Sequence, residues 1–481
     1  MTNSWEIEGF LETKNDHLHI DSVSAVDLAR DHGTPLFVFS ESRIKHNIAR
    51  LQKAQDVIGC PLKVCYAAKA MSTMAILRTV KDAGCDIEVN SGGELWKAIE
   101  IGFRGDQIIF NGTSKEAWEI ENAINAEIYA IQVDSLYELS LIEQTARRLN
   151  KSANVSLRLV PEIESGTHSG LQTALLTSKF GMMPDEAFSA FRDYGDSPHL
   201  DLCGIHLHIG SQNPDPVAYT AALETLYNGL KRIYDETGRA LKHINLGGGF
   251  PVNYLRDDSM GSTFPDEQRQ MFEADFEPTD AIGSAWRSIR EAVGSANDAH
   301  LFEHLTMLIE PGRSIIADAG ICLTTVRNAK TRPIALSTGF SRRPPDGGTP
   351  KEADHWLLTD AGFNILLSME TYKWYYHLIS AERARTEHSV PYKLAGPLCD
   401  GGDVYFDIEG ENRLPDHRFL PADVEPGEIL AMLNCGAYSL AQASQYNGRF
   451  LPAVVLIREN GTAELIRKRD DFGDLINNDI Y

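Results

Sequence analysis

Lys69 stands in the run Val64-Cys65-Tyr66-Ala67-Ala68-Lys69-Ala70, at the end of an apolar, strand-like stretch where an ammonium is costly to bury. Two uses of it are open. It is a side chain that snorkels to solvent, or an amine whose pKa is lowered by partial desolvation so that it attacks an aldehyde. Asn245-Leu246-Gly247-Gly248-Gly249-Phe250 follows another such stretch, and its glycines form a plain turn or let backbone N–H groups converge on an anion. Arg313, in Glu310-Pro311-Gly312-Arg313, would add a cation there, and Ser211, after His208-Ile209-Gly210, a hydroxyl. His206 and His208 fall on one face if the strand alternates. No carboxylate or cysteine nearby completes a metal set, so a flat imidazole stacked on a flat ring is the better use of His208 than metal ligation. Glu310 is a partner for Arg313 or Arg158, or a carboxylate that keeps a ring nitrogen protonated.

An amine for an aldehyde, a cradle for a phosphate, an imidazole for a ring and a carboxylate for its nitrogen converge on pyridoxal phosphate, whose protonated ring is an electron sink. No single motif carries that reading.

The residues follow eight short apolar runs: LKVCYAA (62–68), CDIEVN (85–90), QIIFN (107–111), YAIQVD (129–134), VSLRLV (155–160), CGIHLHI (203–209), HINLGG (243–248) and TMLIE (306–310). MAILRTVKDAG, GELWKAIEIG and AWEIENAINA, lying between the first four, place apolar residues three and four apart and read as helices. Lys69, Asn111, Arg158, His208, Gly247–Gly249 and Glu310–Arg313 all fall at C-terminal strand ends. A (β/α)8 barrel gathers those positions on one rim, whereas an open doubly wound sheet scatters them. After Arg313 the runs SIIADAGICLTTV, HWLLTDAG, VYFDIEG, EILAMLN, AVVLIREN and AELIRK read as strands broken by Gly, Pro, Asn and Asp, with one helix candidate at 372–380. The expected organisation is therefore an α/β chain: N-terminal strands (1–40) packing with the C-terminal module, a barrel (41–316), and a C-terminal all-β domain (317–481). Residues 341–352, SRRPPDGGTPKE, read as a loop.

A length of 481 residues suits two domains. The net charge of −23 argues against nucleic acid or an anionic membrane as partner. Seven scattered cysteines suggest neither a disulfide framework nor a zinc site and favour a reducing compartment. Residues 1–12 lack the look of a signal segment, and no window reaches the roughly 18 apolar residues of a membrane span. A cytoplasmic protein is expected.

YAAKA at Lys69, SGGEL (91–95), HLHIGSQ (206–212), NLGGGFPV (245–252), EPGRSIIADAG (310–320), GPLCDGGDVY (396–405) and CGAYS (435–439) resemble the fold type III pyridoxal-phosphate decarboxylases, from about Leu36 to the C-terminus. That family includes diaminopimelate decarboxylase and the ornithine, arginine and lysine decarboxylases. The resemblance implies a homodimer with shared active sites, each taking the Cys399–Asp400 loop from the neighbouring subunit. It makes Lys69 the residue bonded to the cofactor, His208 the ring-stacking residue, Glu310 the partner of the ring nitrogen and Cys399 the acid that reprotonates the α-carbon. Glu88, Arg158, Ser211, Gly248, Gly249, Gly312, Arg313 and Tyr438 complete the implied cofactor site. Asp400, Arg313, Tyr372 and Tyr438 are implied to face a small amino-acid substrate. Read without the motif, Cys399 is equally an ordinary loop cysteine and Asp400 a turn residue.

Two departures bear on that substrate. Diaminopimelate decarboxylases carry Cys-Glu-Ser where this chain has Cys399-Asp400-Gly401, and an Arg-Pro where it has Ser368-Met369. Losing a guanidinium argues against an acidic distal group. FRGDQIIFNG, GPLCDGGD and the C-terminal stretch 465–481 resemble the D-ornithine/D-lysine decarboxylase branch, which also lacks the Arg-Pro pair, and this resemblance implies a D-ornithine/D-lysine decarboxylase making putrescine or cadaverine. The alternative is meso-diaminopimelate decarboxylation to L-lysine, favoured by YAAKA and SKFGM (178–182). A non-catalytic regulator or a racemase on the same barrel is a more remote reading.

Overall fold

The structure, a computed structural model, describes residues 5–160, 163, 172, 178–256, 260, 263–333, 353–411 and 413–480. The expected loop at 341–352 lies outside them. The chain divides into two compact units: one is formed by Arg43–Asn253 and Glu273–Ala317, the other by Met1–Ser42, Tyr254–Phe272 and Asp318–Tyr481.

In the first unit eight parallel strands close into a barrel: β1 (Leu62–Ala67), β2 (Asp86–Val89), β3 (Ile108–Phe110), β4 (Ala130–Val133), β5 (Ala153–Arg158), β6 (Leu200–His206), β7 (His243–Asn245) and β8 (Thr306–Ile309). Closure comes from the pairing of Met307 with Leu62 and of Ile309 with Val64. The runs are rich in Val and Ile, which fill both faces of a buried parallel strand. Helices Met74–Asp82, Gly92–Ile101, Ala117–Asn125 and Leu136–Arg148 return the chain after β1 to β4. Two of them start at a serine cap backed by a glutamate. Ser91 accepts from Glu94 N while the Glu94 carboxylate accepts from Asn90 N, and Ser135 with Glu138 repeats the device against Asp134 N. Helix Gly92–Ile101 stops at Gly102, which is left-handed at φ 89°.

The second unit is β-rich. Leu36–Ser40 lies between Gly320–Pro333, antiparallel to it, and Ala453–Ile457, parallel to it. The sheet continues through Ala353–Thr359, Val390–Ala395 and Arg418–Leu420 on one side and Ala463–Arg467 on the other. Leu36, Val38, Leu323, Ala431, Val455 and Ile457 share one buried core with Leu11, Ile20 and Leu28 from the N-terminal hairpin and helix.

Three local expectations differ from what is observed. Arg313–Ile316 is a helical turn, with Ala317 N bonded to the Arg313 carbonyl, so the strand starts only at Gly320. VYFDIEG forms no strand: Asp407 accepts from the backbone of Glu409 and Arg413 and bends the chain. The helix near Tyr372 lies earlier, at Leu367–Thr371; Lys373, at φ 49°, ends it, and Leu378–Ser380 is a strand. Among the described residues no helix is long and apolar enough to cross a membrane.

Candidate active site

Six strand ends of the barrel bring one connected set of side chains together. Lys69 leaves β1 on the single turn Ala68–Ala70, and its Nζ lies 3.2 Å from Glu88 Oε1 and 3.4 Å from Asn90 Oδ1. Glu88, on β2, is fully buried, and its Oε1 also accepts from Asn111 Nδ2 at 2.7 Å, just past β3. The same Asn111 nitrogen donates to Glu310 Oε2 at 3.0 Å, past β8. Asn245, which ends β7, donates to Glu310 Oε1 at 2.7 Å, and His206 Nε2, at the end of β6, lies 3.6 Å from Glu310 Oε2. Glu310 thus pairs with two amides and an imidazole. Neither Arg313 nor Arg158 is among its hydrogen-bond partners: Arg158 lies over the Phe180 ring at 4.3 Å.

The two buried carboxyls are pushed apart. Burial raises Glu88 above the ordinary carboxylate value; Lys69 opposes the rise and the charge of Glu310 adds to it. Burial works against ionisation of Glu310 too, but His206, Lys69 and His208 outweigh it and hold that carboxyl below the usual range. Environment thus sets two neighbouring carboxyls apart in acidity although both accept from the same Asn111 nitrogen.

The glycine run follows directly. Asn245 Oδ1 accepts from Gly247 N at 2.9 Å, and His208 Nδ1 accepts from Gly248 N at 3.0 Å. A Cβ on Gly248 would strike the Glu310 carbonyl, and one on Gly249, at φ 97°, would meet the Gly210 carbonyl. Glycine is therefore required for β7 and β8 to approach so closely. Arg313 Nε donates to Ser211 Oγ at 3.2 Å, which puts cation and hydroxyl side by side after β8 and β6. His208 lies beyond the end of β6 rather than within it; the strand stops at His206 because the chain turns through Gly210, at φ 108°.

Cys399, Asp400, Tyr372 and Tyr438 belong to the β-rich unit. Cys399 is exposed, while the other six cysteines are buried. Its N–H donates to Asn447 Oδ1 at 2.6 Å, and Asp400 Oδ2 accepts from Tyr446 Oη at 3.2 Å. Asp403, nearly inaccessible, accepts from Leu398 N at 2.7 Å and Phe363 N at 2.9 Å. Tyr372 N bonds the Ser368 carbonyl, and the Ser368 hydroxyl donates to the Tyr438 carbonyl at 3.4 Å. Sequence reasoning assigned no role to Asn90, Asn245, Asp403, Tyr446 or Asn447, and noted Asn111 only as an unusual residue at a strand end. Asn245 had a signal, its place beside the glycines; Asn447, in a turn of QYNGRF, had none.

The barrel residues fit pyridoxal phosphate: Lys69 is an amine near a strand end, Glu310 is a carboxylate held ionised that could face the ring nitrogen, and Arg313 beside Ser211, next to the Cβ-free glycine turn, could hold the phosphate. Asn111 Oδ1 and His206 Nδ1 are buried atoms with no hydrogen-bond partner among the described residues, in keeping with a pocket built around a polar guest. Residues 42–317 match the family model of the pyridoxal-dependent decarboxylase, pyridoxal binding domain. The chain belongs to that family of pyridoxal-phosphate-dependent carboxy-lyases. It is 32% identical to diaminopimelate decarboxylase of Methanocaldococcus jannaschii, over 98% of this chain and 96% of that one. It is 31% identical to diaminopimelate decarboxylase of Bacillus subtilis, again over 98% and 96%. The crystal structure of the Methanocaldococcus jannaschii enzyme in complex with L-lysine superposes with a TM-score of 0.79 at 31% identity, covering 98% of each chain.

These relatives correct the expected substrate. The D-ornithine/D-lysine reading rested on one missing guanidinium and a few short stretches, whereas the similarity to diaminopimelate decarboxylases runs over nearly the entire chain. Ser368, in the place of that guanidinium, is a buried residue of the short helix Leu367–Thr371.

Proposed function

We propose that the protein removes the carboxylate from one end of meso-diaminopimelate, giving L-lysine. The observation that carries this reading is identity of about 30% over almost the whole length of diaminopimelate decarboxylases, combined with a barrel rim whose residues suit the cofactor.

Pyridoxal phosphate, when bound, supplies the sink into which the electrons of the departing carboxylate flow. Lys69 Nζ would hold the cofactor through its aldehyde carbon, and its contact with Glu88 keeps it aimed from β1 toward β2. Glu310 holds a proton on the ring nitrogen through its ionised carboxylate, which Asn111 and Asn245 orient. Ser211 and Arg313, with the turn at Gly248 and Gly249, would hold the phosphate, Gly312 would give the turn that presents Arg313, and His208 would stack on the ring. Arg158 adds a buried cation nearby. Cys399 delivers a proton to the α-carbon, and Asp400 meets the distal ammonium, with Tyr372, Tyr438 and Arg313 around the substrate. We place the Cys399 loop in the site of a second copy in a homodimer; the exposure of Cys399, alone among the seven cysteines, supports that reading.

The test is incubation of the holoprotein with meso-diaminopimelate and with D- and L-ornithine and lysine, products being scored by mass. L-Lysine and carbon dioxide from meso-diaminopimelate are expected. Putrescine or cadaverine without any lysine would overturn the assignment. Lys69→Ala should abolish the visible absorbance of bound cofactor, and a retained band would remove Lys69 from its role.

A further inference from the structure

We propose that Asn111 is a positioning residue whose single carboxamide nitrogen ties Glu88 and Glu310 into one unit, so that the charge beside Lys69 and the charge assigned to the ring nitrogen are set together. The inference rests on the reading of Lys69 and Glu310 given above. It goes beyond that reading because nothing there requires the two carboxyls to act jointly.

The geometry is specific. Asn111 Nδ2 has two hydrogens and two acceptors, Glu88 Oε1 at 2.7 Å and Glu310 Oε2 at 3.0 Å, contributed by strands on opposite sides of β1 in the barrel order. The side chain is 4% exposed, so water does not substitute readily for either bond. Its amide has only one workable orientation: turned over, Oδ1 would face two carboxylate oxygens. In the observed orientation Oδ1 is left without a hydrogen-bond partner among the described residues, so the amide satisfies the two carboxylates at the expense of its own oxygen. Lys69 joins the set through Glu88, and Asn245 joins it through Glu310. The result is an unbroken chain of polar contacts from the cofactor-bonding nitrogen to the carboxylate that holds the ring proton. The charged and titratable groups facing this pair are Lys69, Glu94, Arg158, His206 and His208.

If Asn111 only filled space, alanine and aspartate in its place would disturb the site in the same sense. A coupling role predicts opposite senses. Asn111→Asp puts a third carboxylate between the two, which favours the proton on the Lys69 nitrogen. Asn111→Ala leaves two carboxyls facing each other with no donor between them; they then share a proton, and the negative charge near Lys69 falls.

The experiment titrates the visible absorbance of bound cofactor against pH in the holoprotein and measures cofactor release on dilution. The midpoint is expected to move up by about one unit in Asn111→Asp and to move down in Asn111→Ala. Release from Asn111→Ala is expected to be about tenfold faster than from the parent protein, as for loss of one buried hydrogen bond. Should the aspartate variant fail to fold, Asn111→Ser, which keeps one donor hydrogen, is expected midway between the parent and the alanine variant. Midpoints and release rates equal to those of the parent, or midpoints displaced in one direction by both substitutions, would overturn the proposal. A visible band that survives Lys69→Ala would instead overturn the reading on which it rests, so the two failures are distinct.

Discussion

Asn447 Oδ1 accepts the backbone N–H of Cys399 at 2.6 Å, and so the one exposed cysteine is carried on a loop gripped from outside itself. Arg449 donates to the Pro397 carbonyl at 2.8 Å, Tyr446 to Asp400 Oδ2, and Asp403 ties the far end of the loop through Leu398 N. The Asn447 backbone is left-handed, at φ 57°, a conformation asparagine tolerates better than most residues.

Removing that acceptor should loosen the loop without touching the fold. Asn447→Ala is expected to slow product formation by about three- to tenfold, the value of one hydrogen bond, and to speed alkylation of Cys399 by iodoacetamide. Parallel measurement of turnover and of alkylation by mass checks both. Unchanged alkylation would mean that the bond does not hold the loop.

Cys399→Ala tests the acid role directly. The variant should bind pyridoxal phosphate with an unaltered spectrum and form product about 10²- to 10⁴-fold more slowly, as expected for loss of a positioned proton donor. Full-rate lysine release would assign the proton to another group.

The raised Glu88 carboxyl makes a statement about stability and pH. A carboxyl whose folded-state pKa lies above its unfolded value binds its proton more tightly when folded, so stability is fully present below the unfolded pKa and is lost as pH rises through the folded one. Glu310 has the opposite sign: its contribution is present above the unfolded pKa and is lost as pH falls toward its depressed value. Melting of the cofactor-free protein from pH 4 to pH 8 should therefore show a smaller loss on the alkaline side in Glu88→Gln than in the parent. Equal slopes would show that Glu88 is not held above its ordinary value.

Lys115 offers a test away from the chemistry. Its ammonium, almost wholly buried, meets Glu138 Oε1 at 2.5 Å and the carbonyls of Gly112 and Gln132, so it fastens the ends of β3 and β4. Lys115→Ala leaves Glu138 buried without its cation and should cost about 3–5 kcal/mol. Lys115→Met combined with Glu138→Gln, which removes both charges but keeps an acceptor for the helix cap, should recover part of that loss in a denaturant titration. No recovery would place the cost in packing rather than in the stranded charge.

The barrel was legible because each strand is a short apolar run closed by a turn, and that pattern is local. All eight strands fall within a few residues of the runs read from periodicity. Lys69, His208, Glu310 and the glycines stood out because an ionisable or flexible residue at an apolar strand end is locally odd. Asn111 and Asn245 were marked only by position, at a strand end and beside the glycines: their partner Glu310 lies 199 and 65 residues away, and an amide there looks like any turn residue until closure brings it to a carboxylate. VYFDIEG misled for the converse reason. It alternates like a strand, but Asp407 finds backbone partners within six residues and turns the chain first.

The position of Leu36–Ser40 in the interior of its sheet has a consequence for synthesis. The strand is made well before its neighbours, Gly320–Pro333 and Ala453–Ile457, which follow it by about 280 and 410 residues. A ribosome would thus release nearly the whole barrel sequence while this strand still had two bare edges, and bare apolar edges recruit other chains. A transcript truncated before Ala453 would leave one edge open for good, which makes Ala453–Ile457 a checkpoint on whether the molecule stays apart from its neighbours.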